Sequence, residues 1–330
     1  MSALPYGYFK PEEAGVQNHI AVIRCGGLNS SDRILWSKEQ LAPYTAYRLD
    51  GKAIDRMFGG YIFYGIRTTL NERMLHPMFI GFKRPSRRRH WRQWIEDLFT
   101  PGYNLQALSE LTDFIIPDVW ISLPYPHPMK TQFGAVHQRD LNFQKDEDRL
   151  EALDWWIEQF MKRWSRERSL YSRLHLRGFL WPKEAVLVKE ESFVSQVNTM
   201  IHNRYGQKTM WLPNYGSYGV MDWNSKGFDV AAINSNYYGH NSYGVDWITN
   251  ASHFAKAYHM GMQVNIGRGY AFSDDHVQHY FSLGLDNKLK YMKESLMVYQ
   301  FHNETVDQMM VNDMERYIQL YTFIKGIYTG

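Results

Sequence analysis

His19-Ile20-Ala21-Val22-Ile23-Arg24-Cys25-Gly26-Gly27-Leu28-Asn29-Ser30 decides between two α/β architectures. An apolar run of strand length closed by two glycines reads as a buried β-strand followed by a turn. In an open doubly wound sheet this first strand would lead into a Gly-x-Gly-x-x-Gly phosphate loop. Here Gly26-Gly27 is followed by Leu28-Asn29-Ser30, so the second half of that fingerprint is missing. A closed barrel is then the better home for strands that alternate with amphipathic helices.

Working outward from this strand, the pattern predicts seven more, at 60–66, 119–125, 176–181, 209–213, 230–234, 262–266 and 296–301. Pro126, Pro128 and Pro182 stop the third and fourth. Helices are predicted at 89–99, 149–166, 192–205, 246–258, 274–283 and 306–327, where apolar residues recur at helical spacing. Trp91, Trp94, Ile95 and Leu98 show that spacing in the first, and Leu150, Leu153, Trp156, Ile157, Phe160 and Trp164 in the second. The fold class is α/β, a (β/α)₈ TIM barrel over 18–330, with an N-terminal arm at 1–17. No linker, repeat or low-complexity tract divides it.

Composition narrows the function. A net charge of +3 is too balanced to argue for nucleic acid. No apolar run approaches the roughly 20 residues needed to cross a membrane. Residues 1–17 lack a signal-peptide pattern, which predicts a protein that is cytoplasmic as synthesised or part of a virion. The single cysteine, Cys25, allows neither an internal disulfide nor a Cys-based zinc site, and its apolar surroundings predict a buried structural thiol. His127, His240 and His302 form no recognisable ligand pair, so no metal and no cofactor is expected. Aromatic residues reach 16%, with 11 Trp and 23 Tyr; a large core accounts for many, and sugar stacking is the use open to the rest.

In a barrel, reactive groups collect at the C-terminal strand ends. The candidates there are Arg67, Tyr125, Trp181, Asn214, Tyr215, Asn236, Tyr237, Gln263, Asn265 and Gln300. This set of amides, hydroxyls and rings suits a neutral polyhydroxylated ligand. Glycoside hydrolysis ordinarily needs two carboxylates. Glu184, after the fourth strand, is the candidate acid, and a site beside Trp181 would raise its pKa. Asp222, after the fifth strand, is the best remaining partner. A loop salt bridge is the bland alternative for Glu184. The Arg84–Arg89 loop and the N-terminal arm are candidate contacts for a protein partner; the simpler reading of the arginines is a solvated loop.

An ordered set of short stretches is more specific than any one of them. It comprises Pro43-Tyr44-Thr45-Ala46-Tyr47, Ser122-Leu123-Pro124-Tyr125-Pro126, Gly178-Phe179-Leu180-Trp181 with Glu184, and Trp211-Leu212-Pro213-Asn214-Tyr215. It continues through Gly227-Phe228-Asp229-Val230-Ala231 with Asn236-Tyr237, Tyr258-His259-Met260-Gly261-Met262 and Phe323-Ile324-Lys325-Gly326. On these residues the chain, from about His19 to Tyr328, resembles DUF4855, a bacterial family of unknown function also found in phages. The resemblance implies a glycoside-hydrolase-like barrel and matches Glu184 to a family glutamate. It also implies a Met-Gly-x-Glu-x-Glu motif on the seventh strand, where this chain holds Gln263 and Asn265. An amide can bind a hydroxyl but cannot serve as nucleophile or base. Two readings stay open. One is a barrel acting on or binding a bacterial surface polysaccharide, its catalysis possibly degenerate. The other is a non-enzymatic glycan-binding or structural module of an assembly such as a phage particle.

Overall fold

The computed structural model describes residues 4–29, 31–70, 73–79, 84–240 and 243–329. Part of the basic segment between Arg67 and Arg89, at 71–72 and 80–83, lies outside the described residues, as do residues 1–3 of the arm.

Eight parallel strands close on themselves: β1 Ile20–Cys25, β2 Gly60–Gly65, β3 Asp118–Ser122, β4 His175–Trp181, β5 Lys208–Trp211, β6 Val230–Ile233, β7 Gly261–Ile266 and β8 Met297–Phe301. Each pairs with its neighbours in sequence, and β1 pairs with both β2 and β8, so no edge is left open. The eight predicted strands are these eight, within a few residues at their ends. Every residue of β2, β3, β6, β7 and β8 is buried, as expected for parallel strands covered on both faces.

Helices cover the outside. Arg88–Leu98 and Asp146–Arg166 place Trp91, Trp94, Trp156, Phe160 and Trp164 against the barrel, which is where much of the aromatic content goes. The predicted long terminal helix is two, Val306–Asn312 and Met314–Ile324. Asp313 divides them: its backbone is non-helical (φ −152°, ψ 73°), and its carboxylate accepts from the Arg316 N–H, capping the second helix. The predicted helix 192–205 is α-helical over Glu191–Met200 and widens to a π-turn over Ile201–Tyr205. Lys38–Thr45 is helical despite an internal Pro43, a helix that periodicity does not announce.

Two details set the site. Gly178 in β4 has φ +154°, and a Cβ there would lie 1.8 Å from the Lys208 carbonyl oxygen. Only glycine lets β4 approach β5 this closely, beside a bulge where β3 meets β4 at Val119/Trp120. The N-terminal arm closes the opposite end of the barrel. Phe9 N–H donates to Met260 O (3.2 Å), Leu296 N–H donates to Phe9 O (2.9 Å), and Tyr8 and Phe9 are buried. Cys25 is buried, and burial pushes its thiol up. Among the described residues no helix is long and apolar enough to cross a membrane.

Candidate functional site

At the C-terminal mouth, a cavity of about 370 Å³ is lined by Arg24, Tyr64, His76, Glu184, Asn214, Asn234, Asn236, Tyr238, Phe272, Gln300 and His302, among others. Its volume falls within the usual range for small-ligand sites, about 300–1,000 Å³. Among the described residues, Glu184 is the one carboxylate in its lining.

The loop after β4 holds Glu184 by its backbone. Its carbonyl accepts from Asn214 N–H (3.3 Å) and Ser217 Oγ (3.0 Å), while Trp211 Nε1 donates to Lys183 O (2.7 Å). The side chain has one hydrogen-bond partner: Asn214 Nδ2 donates to Oε2 at 2.7 Å. Burial pushes the Glu184 carboxyl above the usual range, and the Asn214 bond and the Arg24 charge only partly oppose it. Among the described residues its one direct side-chain partner is an amide, and the shift is towards the protonated form.

Amides continue the wall as a chain. Asn265 Nδ2 donates to Asn234 Oδ1 (2.8 Å), and Asn265 Oδ1 lies 3.1 Å from His302 Nε2. Asn265 Nδ2 also reaches the Tyr280 hydroxyl (3.0 Å). Gln300 Nε2 donates to Gln263 Oε1 (3.1 Å), and Gln263 Nε2 to Ala232 O (2.5 Å). The two positions that the family resemblance marks as glutamates therefore carry amides that orient other amides. Asn214 Oδ1 and Gln300 Oε1, both on the cavity wall, are buried acceptors with no protein donor. Burial lowers the two cavity histidines, His76 to about 3 and His302 well below its ordinary value, so both are neutral.

The remaining sequence candidates are placed as follows. Glu184, Asn214, Asn236 and Gln300 line the cavity; Gln263 and Asn265 stand behind it. Trp181 packs between Tyr125 and Phe193. Tyr125 donates to Glu190 Oε1 (2.6 Å). Tyr215 packs on Trp247 and Phe254, and Tyr237 bonds His279 (2.6 Å). Arg67 is buried and donates to Asn29 O (2.5 Å), fastening the loop after β1. Asp222 is exposed, apart from the cavity, in an ion pair with Lys226 (2.6 Å). These last six positions are held by packing or bonds elsewhere in the fold.

Strand-end reasoning missed Arg24, Tyr64, His76 and Asn234. Arg24 had a signal: a charge inside an otherwise apolar strand, two residues after Val22, must share that residue's inward face. Tyr64 is its register partner on β2. His76 comes from a long connection and bonds the Tyr64 hydroxyl, which no periodicity reveals. Among the described residues, no group of three His, Cys, Asp or Glu could hold a metal ion.

The family model for "Domain of unknown function (DUF4855)" matches residues 20–325. No curated protein matches. Solved structures with a similar chain course include a GH113 β-1,4-mannanase (9% identity, 98% of this chain and 99% of that one, TM-score 0.47). Another is a xylanase and α-amylase inhibitor protein from Scadoxus multiflorus (10%, 94% and 98%, 0.46). A third is a tryptophan synthase α-subunit from Pyrococcus furiosus (12%, 94% and 97%, 0.41). These likenesses assign no chemistry to the chain.

Proposed function

The chain belongs to the DUF4855 family, and from that premise we propose that its barrel mouth takes a saccharide of the bacterial surface-polysaccharide kind and cleaves a glycosidic bond in it, with Glu184 as general acid. The observation that carries this reading is the Glu184 carboxyl, biased towards protonation on the wall of a cavity otherwise built from amides, hydroxyls and rings. A protonated carboxyl can give its proton to the leaving oxygen as the bond breaks. Asn214, bonded to Oε2, then receives and orients the carboxylate that forms. The amides of Asn214, Asn234, Asn236 and Gln300 supply polar wall for sugar hydroxyls, while Tyr64, Tyr238 and Phe272 offer ring surface.

Among the described residues the cavity offers no second carboxylate: Gln263 and Asn265 are neutral, and Asp222 stands apart. Attack there falls to water or to a neighbouring group of the substrate itself. That same feature supports the second reading, a barrel that binds glycan without cleaving it, as an assembly module would.

Hydrolysis of a panel of bacterial cell-surface and capsular polysaccharides, with Glu184→Gln alongside, separates the two. Reducing ends released by the wild type and not by the variant support hydrolysis. Equal binding by both proteins with no product supports the glycan-binding barrel. Neither product nor binding removes the saccharide reading.

A further inference from the structure

Arg24 projects from β1 into the mouth and lines two cavities at once. One is the Glu184 cavity. The other, of about 440 Å³, is bounded by the loop after β1 and by Asn303, Thr305 and Gln308 beyond β8. His302 is the other residue that both cavities share. The Arg24 guanidinium makes no hydrogen bond or ion pair to any described residue, and its Nε is buried without an acceptor.

A guanidinium in such a place is costly unless something anionic meets it. Its surroundings supply little. Glu184, the carboxyl in the first cavity, is shifted towards its neutral form. His76 and His302 are neutral. Asp32, the carboxylate in the second cavity, is bonded to the Asn29 N–H at 2.8 Å and acts on Arg24 through its charge, as Glu184 does, without a hydrogen bond to the guanidinium. Arg33, also in that lining, is paired with Asp307 at 3.1 Å. By contrast, Arg149 and Arg316 each bond a buried carboxylate, Glu190 and Glu304, and buried Arg67 donates to the Asn29 and Asp32 carbonyls. Arg24 is thus left with its fork of donors facing the space a ligand would fill.

We infer that Arg24 recognises an anionic substituent on the sugar, so the preferred ligand is an acidic saccharide with its charged group between the two cavities and a neighbouring residue beside Glu184. This rests on the reading of the mouth as a saccharide site and names its ligand class. A carboxylate, as in a uronic acid, matches the planar guanidinium with two parallel bonds; a sulfate ester offers the same acceptor chemistry.

The test is titration calorimetry of the intact wild-type chain with three oligosaccharide sets. These are glucuronate- and galacturonate-containing oligomers, the same oligomers with every carboxyl reduced to the alcohol, and sulfated neutral oligomers. The expected result is that carboxyl reduction weakens binding roughly 10- to 100-fold, as loss of a charge-assisted hydrogen bond does. Arg24→Met should erase the difference between acidic and reduced sugars, and Arg24→Lys should restore part of it. The ligand-side comparison uses the wild type alone, so it stands even if Arg24→Met fails to fold. Preference for the sulfated set over the uronates still supports the inference and identifies the anion. Equal binding of acidic and reduced sugars overturns it while leaving the saccharide reading intact. No binding of any set overturns both. A uronate preference in a protein that releases no product supports it and removes only hydrolysis.

Discussion

Glu184 and Glu190 stand in one short connection, and both are drawn away from water, yet their surroundings shift them in opposite directions. Burial pushes each carboxyl upward. At Glu190, hydrogen bonds from Lys183 and Tyr125 and the charges of Lys183 and Arg149 outweigh burial and hold it below the usual range. At Glu184 the direct partner is one neutral amide, so burial wins. Lys183 sits next to Glu184 in sequence but turns its ammonium to Glu190. The difference teaches that depth alone does not make a proton donor: the cation must be spent elsewhere.

The comparison can be broken most severely at the mouth. Glu184→Gln should lower hydrolysis by about 10²–10⁴-fold, the usual contribution of a positioned acid. It should leave the fold intact, as checked by thermal unfolding. A carboxyl with a raised folded pKa contributes stability that is fully present below its unfolded pKa and lost as pH rises through the folded one. The variant should therefore gain on the wild type as pH rises.

Glu190→Gln should act on stability instead. It strips a buried acceptor from Lys183 and Arg149, and removing one member of a buried pair costs about 3–5 kcal/mol. The sign of its pH dependence is opposite. A lowered pKa contributes stability present above the unfolded value and lost as pH falls through the folded value, so denaturation midpoints of variant and wild type should converge on acidification.

Asn214→Ala sharpens the contrast further. The Asn214 bond lowers the Glu184 pKa, so its removal should move the alkaline limb of the activity profile to higher pH. A profile that stays in place would mean that another group sets that limb. Asp222→Ala should change activity least, leaving it unaltered, because the residue is exposed and apart from the cavity; stability should fall by about 0.5–3 kcal/mol, since the buried Lys226 ammonium loses its nearer carboxylate and keeps Glu191. A large loss of activity there would reinstate it as the second carboxylate.

Much of the mouth was readable from strand ends. Glu184, Asn214, Asn236 and Gln300 follow or close predicted strands and do line the cavity. Trp181, Tyr215 and Tyr237 follow strands equally well, yet their rings fill gaps between helix and barrel. A strand end says where a residue is, not which way a large ring turns to find packing. Arg67 shows the same limit: its side chain is used up by backbone carbonyls of the β1 loop.

What the sequence by itself determined is the barrel: the period of apolar runs, the absent phosphate loop and the proline and glycine stops are local properties, and eight buried strands have few ways to close. It also marked Glu184 as the acid worth examining and Gln263 and Asn265 as incapable of replacing a base. The direction in which each carboxyl is shifted, and that Arg24 bonds no carboxylate among the described residues, only the tertiary structure decided. Both depend on partners brought together from distant strands and loops: Lys183, Arg149 and Tyr125 bond Glu190, while Glu184 and Asp32 act on Arg24 through charge without a hydrogen bond.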